Sequence, residues 1–139
     1  PALVAQLRAA LPSARILLNS DTLAALPAAA DLHGADGVHL TAAALRQATH
    51  KPSPLCGASC HDATELALAR ALGLDFATLS PVQATTTHPQ AVPLGWPRFA
   101  ALAAAAGLPV YALGGMRRAQ LDEAVAQGAI GLAGISGLD

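Results

Sequence analysis

Two glycine-bearing segments near the C-terminus hold the residues best suited to chemistry. Residues 109–116 read PVYALGGM and residues 129–138 read AIGLAGISGL. Each is a short apolar run that stops in small residues, at Gly114-Gly115 in the first and from Gly134 to Gly137 in the second. A helical stretch lies between them, so they read as successive parallel strands of β/α units. In eight-fold β/α barrels the loops after the last two strands commonly build a phosphate site from exposed backbone N–H groups. Glycine suits that work because, without a Cβ, its main chain approaches an anion closely. The pattern points to a phosphorylated small molecule.

Other candidates sit at comparable positions. Residues 83–95 form a long loop rich in polar residues and proline, and it contains Thr85-Thr86-Thr87-His88-Pro89. Long loops in compact domains are usually functional or disordered, and this one is too polar to be mere spacer. Ser59 lies near a strand end, and His61 follows it as a candidate acid or base. His39 falls mid-strand and reads as a hydrogen-bonded histidine of the sheet. Asp21 reads first as a helix cap and second as a metal ligand. Cys56 and Cys60 share one strand; residues four apart on a strand are about 13 Å apart, beyond disulfide reach. With His61 they would point to opposite faces, so both read as buried thiols, which suggests a reducing cytoplasm.

These groups must be held by a repeating scaffold. Strands are expected over 15–19, 37–41, 55–60, 76–82, 110–113 and 131–135. Helices are expected over 2–10, 22–29, 41–48, 62–72, 96–106 and 118–127. Thr41 and Asp62 read as N-caps, and Asp62-Ala63-Thr64-Glu65 as a capping box of the Asp type. Gly73, Gly107 and Gly128 mark helix ends. Repeated strand–helix units with short links imply a parallel α/β architecture. Six units are two short of a closed barrel, and an open six-stranded sheet is the direct alternative. The first helix has no strand before it to cover, which favours a (β/α)8 TIM barrel lacking its first two strands. The exposed edge would then need a partner chain, a swapped element or the absent segment, and a homo-oligomer is one way to supply it.

The composition agrees with this scaffold. Of 139 residues, 53% are hydrophobic and 12% charged, as expected of strands covered on both faces. A net charge of −1 with 3% aromatics argues against nucleic acid, which needs basic surface and stacking platforms. Apolar runs fall short of a membrane span. Neither a signal peptide nor a lipidation motif opens the chain, and Pro1 suggests a processed or excised piece.

Six motifs occur in order: LLN at 17–19, GADGVHL at 34–40, GASCH at 57–61, SPVQATTT at 80–87, ALGG at 112–115 and AGIS at 133–136. Together they resemble the thiamin phosphate synthase family with its thiazole tautomerase relatives, matching strands three to eight of that barrel. GASCHD at 57–62, Asp75-Phe76, Thr87-His88-Pro89, PLGW at 93–96 and PVYALGG at 109–115 further resemble synthase-like domains fused behind a Nudix hydrolase. That resemblance implies a covalently linked Nudix domain in the parent protein.

The family resemblance implies a transferase joining a pyrimidine diphosphate to a thiazole phosphate, releasing pyrophosphate. Mg²⁺ and a lysine would neutralise the leaving group. It implies that Gly114, Gly115, Ile135 and Ser136 hold the thiazole phosphate. Thr85 and Thr87 would touch the thiazole, and Asn19 and Ser59 would lie at the pyrimidine diphosphate. Ser59, His61 and His88 are then the catalytic candidates. This sequence departs from the family at the metal clamp. Ser20 stands in place of one metal aspartate, with Asp21 one residue late. Ala44 stands in place of the second, and His88 replaces the lysine. Pro81 occupies the place of the tautomerase histidine.

Three functions follow as expectations. The first is a synthase-like domain binding a thiazole or pyrimidine phosphate. The second is a non-catalytic sensing or scaffolding module on a Nudix hydrolase. The third is another phosphate-ligand isomerase or lyase on the same fold, with Asp21 and His61 as its charged candidates.

Overall fold

The computed structural model describes residues 2–23 and 32–138. Helix α1 (Ala2–Ala10) precedes the first strand. Strands β1 (Leu17–Asn19), β2 (Gly37–Leu40), β3 (Leu55–Cys60), β4 (Phe76–Leu79), β5 (Val110–Ala112) and β6 (Gly131–Leu132) form one sheet. Helices α2 (Ala42–Gln47), α3 (Ala63–Ala71), α4 (Gly95–Ala106) and α5 (Leu121–Ala126) follow β2 to β5 respectively. Strand β3 has the expected bounds and β1 ends where expected but starts two residues later; β2, β4, β5 and β6 stop one to three residues early, at the turns that carry the candidate residues. The helix expected over 22–29 lies mostly outside the described residues, and a 3₁₀ turn (Ser20–Thr22) follows β1.

All pairings are parallel, and the strand order is β1-β2-β3-β4-β5-β6. Among the described residues the order never reverses, so they show no switch point of the doubly wound kind. One face packs on the helices. Val38, Leu40, Cys56, Ala58, Cys60, Ala77, Leu79 and Ala112 are wholly buried there, with Leu45, Leu66, Phe99 and Ala124 from the helices. Alternation puts His39, Gly57, Ser59, Phe76, Thr78 and Tyr111 on the other face. The rings there pack in a chain, His39 tilted against Phe76 with centroids 5.8 Å apart and Phe76 edge-to-face with Tyr111 at 5.5 Å. Gly57 and Gly131 sit beside them in register, and a Cβ at Gly57 would lie 2.2 Å from the Phe76 ring.

The start of α3 corrects one expectation in part. Asp62 caps as expected, its Oδ1 accepting the Glu65 amide at 2.8 Å. The Glu65 carboxylate does not complete the capping box on Asp62; it binds His61 instead. Gly73, Gly107 and Gly128 have positive φ, as their helix-end positions require.

Candidate functional site

Because every strand runs the same way, the residues after β1 to β6 share one rim of the sheet. Asn19, Ser20, Thr41, Ser59, His61, Pro81, Gly114, Gly115, Ile135 and Ser136 all fall at that end. The sequence-based candidates are thus on one side of the molecule, each brought there by the end of its own strand.

The two glycine loops are neighbours. Strands β5 and β6 pair at Tyr111↔Gly131 and Ala112↔Leu132, so their ends adjoin. Gly114 has φ +108°, and a Cβ there would lie 2.6 Å from Pro81 Cα. The close approach is to the loop after β4, whose Val82 and Gln83 amides donate to the Leu113 and Gly114 carbonyls. The last loop folds back so that a Cβ on Gly137 (φ +87°) would sit 3.1 Å from the Met116 carbonyl oxygen. Arg118 fixes that fold, donating to the Leu138 carbonyl at 2.6 and 3.1 Å. The amides of Gly114, Gly115, Ile135 and Ser136 donate to no described group. Ile135, Ser136 and Gly115 are exposed. Unpartnered amides on two adjoining loops can receive an anion.

The loop after β4 is anchored at both ends, with the Leu94 and Gly95 amides donating to the Pro81 and Val82 carbonyls. Within it, Thr85 Oγ1 accepts the His88 amide at 2.9 Å, while Thr87 and His88 are exposed. Thr85 is thereby partly committed to shaping the loop.

On the inner face of the sheet, His39 Nε2 lies 3.0 Å from Ser59 Oγ. Burial pushes the His39 imidazole below its ordinary value, favouring the neutral ring. The family resemblance places Ser59 at a ligand; in the structure a histidine from the adjacent strand is its hydrogen-bond partner. Thr78, paired in register with Ser59, is 8% exposed and its hydroxyl has no partner among the described residues.

At the β1 and β2 ends the oxygens are committed to one another. Asn19 caps the 3₁₀ turn, accepting the Asp21 amide at 2.9 Å, while the helix that Asp21 is expected to cap lies mostly outside the described residues. Ser20 Oγ accepts the Thr41 amide at 2.9 Å, and the Thr41 hydroxyl donates to Asp21 Oδ1 at 3.1 Å. Thr41 Oγ1 in turn accepts the Ala44 amide and caps α2. Among the described residues no three His, Cys, Asp or Glu side chains gather in a way that could hold a metal. A 330 Å³ cavity lies between α3 and α4, lined by Leu66, Arg70 and Leu102 among others, in the outer helical layer and away from the rim.

Sequence reasoning missed Glu65 and Arg118. The signal for Glu65 was present, since His61 and Glu65 are four residues apart across a helix start. Arg118 gave no signal, because its acceptor is a main-chain carbonyl 20 residues away.

These features define a parallel β/α protein whose polar groups and open amides collect at the carboxyl ends of its strands. The chain belongs to the thiamine monophosphate synthase family, whose model matches residues 3–138. A Geobacter sulfurreducens relative, provisionally named a thiamine-phosphate synthase, is 39% identical over 130 residues, covering 90% of this chain and 59% of that protein. The chain likewise covers 56% of an Aquifex aeolicus relative, so it spans little more than half the length of such proteins. Among solved structures, thiamine phosphate pyrophosphorylase from Pyrococcus furiosus matches with TM-score 0.56 and 25% identity, over 73% of this chain and 49% of that one. A structure described as native KDPGal matches with TM-score 0.63 at 20% identity, over 96% of this chain and 62% of that one, a likeness of fold alone. No helix among the described residues is long and apolar enough to cross a membrane.

Proposed function

We propose that this chain supplies strands three to eight of a (β/α)8 barrel that binds a phosphorylated thiazole or pyrimidine at the carboxyl ends of its strands. The carrying observation is the set of amides at Gly114, Gly115, Ile135 and Ser136, on two adjoining loops, that donate to no described group. In this reading those amides and the Ser136 hydroxyl hold the phosphate, while Thr85 and Thr87 contact the ring. Asn19 and Ser59 face the second ligand, and Ser59, His61 and His88 are the groups that would handle protons or leaving-group charge. The unreversed strand order and the helix before β1 support a barrel wall continued by two further β/α units. Free, buried Cys56 and Cys60 support a reducing cytoplasmic setting.

Transfer by the family route would use Mg²⁺ to neutralise departing pyrophosphate. The residues here do not fit that ion. Ser20 is 8% exposed and bonded to the Thr41 amide, Asp21 Oδ1 accepts the Thr41 hydroxyl, and Ala44 has no side-chain donor. No step is therefore routed through the metal. This mismatch favours a second reading, a ligand-sensing or scaffolding module carried by a Nudix hydrolase, in which binding is kept and transfer is not.

The test is thermal melting of the complete domain with thiazole phosphate or inorganic phosphate. Ligand that binds only the folded state raises the melting temperature in proportion to its occupancy. No shift at millimolar ligand would overturn the binding reading. Formation of thiamin phosphate by the purified full-length protein would overturn the non-catalytic one.

A further inference from the structure

Glu65 is 2% exposed, yet both its oxygens are fully engaged. Oε2 meets the Arg46 guanidinium at 2.5 Å. Oε1 accepts the His61 amide at 2.8 Å and lies 3.0 Å from His61 Nδ1. A carboxylate oxygen accepts and does not donate, so the imidazole must carry its proton on Nδ1. Nε2 has no partner among the described residues, and the His61 side chain is 49% exposed. The three residues come from three places: Arg46 from the last turn of α2, His61 from the end of β3, and Glu65 from the first turn of α3.

A buried carboxylate is costly unless paired. Arg46 supplies the pairing charge, which leaves Oε1 available to orient His61. If Glu65 served only the helix start, its carboxylate would reach the Asp62 amide, as in an ordinary capping box. It reaches past Asp62 to an imidazole instead. Strand β3 is extended through Cys60, so alternation along it directs His61, two residues after Ser59, to the side of the chain that Ser59 takes. Fixing the tautomer of a histidine through its second nitrogen is how proteins decide which nitrogen does chemistry.

We infer that Glu65, clamped by Arg46, is a positioning residue that holds His61 in the Nδ1–H form and presents Nε2 to the phosphate or diphosphate of a ligand at the rim. Nε2 takes a proton from solvent water, and the imidazolium Nε2–H then donates a hydrogen bond to a phosphate oxygen while the proton stays on the ring. This rests on the binding function proposed above, but the tautomer can be read without any ligand.

The experiment is long-range ¹H–¹⁵N NMR of the labelled full-length chain, recorded on the neutral ring. Free imidazole favours the Nε2–H form, so an Nδ1–H signature at His61 is the expected result, and an Nε2–H signature overturns the inference. Glu65→Ala should return the ring to Nε2–H, whereas Glu65→Gln, whose amide oxygen still accepts, should retain Nδ1–H. Persistence of Nδ1–H in Glu65→Ala also overturns it. If Glu65→Ala does not fold, the wild-type spectrum still decides. Inorganic pyrophosphate should then move His61 Nε2 together with the Gly115 and Ser136 amides. Movement of the amides with Nε2 unchanged overturns the ligand contact and leaves the binding function standing. If no amide moves, the binding function fails, and the tautomer is decided by the ligand-free spectrum.

Discussion

The Ser20 hydroxyl accepts the main-chain amide of Thr41 at 2.9 Å, joining the end of β1 to the N-cap of α2. The family resemblance implies a metal aspartate where this serine stands, and its hydroxyl is instead bonded into the frame of the rim. A structural tie therefore occupies the place where the family resemblance puts a charge.

Ser20→Ala should destabilise the chain by about 1–3 kcal/mol, because it leaves a Thr41 amide without its acceptor in a mostly buried setting. Urea unfolding reads this directly. An unchanged midpoint would mean the bond contributes nothing and that Ser20 is a bystander.

Asp36 governs the opposite end of the sheet. A hydrogen bond from Arg8 at 2.6 Å, then the Ile16 amide at 2.8 Å, hold its carboxyl down from the ordinary 3.8 to about 2. Between those values the unfolded chain binds the extra proton, so stability rises with pH across that window. The contribution is complete above about pH 4 and is lost as the pH falls through about 2. Arg8→Ala should move the acid-unfolding midpoint to higher pH, and an unmoved midpoint would show that Arg8 does not hold Asp36.

His39 has the opposite charge but the same sign of pH dependence. Burial lowers its folded value, so the unfolded chain takes the proton first as the pH falls below about 6.5. Stability should decline with acidification from that point, and the decline should be smaller in His39→Gln. Ser59→Ala should cost about 1 kcal/mol by removing the 3.0 Å partner of Nε2. An NMR titration of His39 with its midpoint above 6.5 would contradict this account.

Cys56 and Cys60 face the helices, and burial pushes their thiols up to about 11 and about 12. The thiolate is the reactive form. Neither should react with iodoacetamide in the native chain at neutral pH, and both should react in urea. Rapid native labelling of either would mean that the helix layer opens readily.

The fold was legible because its signal is local and repeated. Apolar runs ending in small residues gave all six strands, and Gly73, Gly107, Gly128, Thr41 and Asp62 gave helix ends from their own chemistry. Strand ends were overextended at Phe76–Leu79 and Gly131–Leu132, where apolar residues continue past the last ladder bond into the rim loops. The site was legible only as residue types at strand ends. That His39 serves Ser59, that Ser20 serves Thr41, and that Arg118 reaches Leu138 are bonds across about 20 residues, set by strand adjacency and invisible to local spacing. The His61–Glu65 pair was local, but the capping-box pattern offered Glu65 a more familiar partner.

Gly114→Ala separates the role of the glycine turn from mere strain. Gly73 and Gly114 both have positive φ, so alanine at either should cost about 1 kcal/mol or more in backbone strain. A Cβ at Gly73 meets nothing within 4 Å, whereas one at Gly114 lies 2.6 Å from Pro81 Cα and 2.9 Å from the Val82 amide nitrogen. Those atoms are main chain and cannot swing aside, so the loop after β4 must move away from the β5 end. The Val82 and Gln83 bonds to Leu113 and Gly114 would be disturbed, and with them the setting of the Gly114 and Gly115 amides. Gly73→Ala should therefore lower the melting temperature while phosphate still raises it. Gly114→Ala should lower it further and abolish the phosphate response. Wild-type phosphate stabilisation in folded Gly114→Ala would show that the ligand does not depend on that turn.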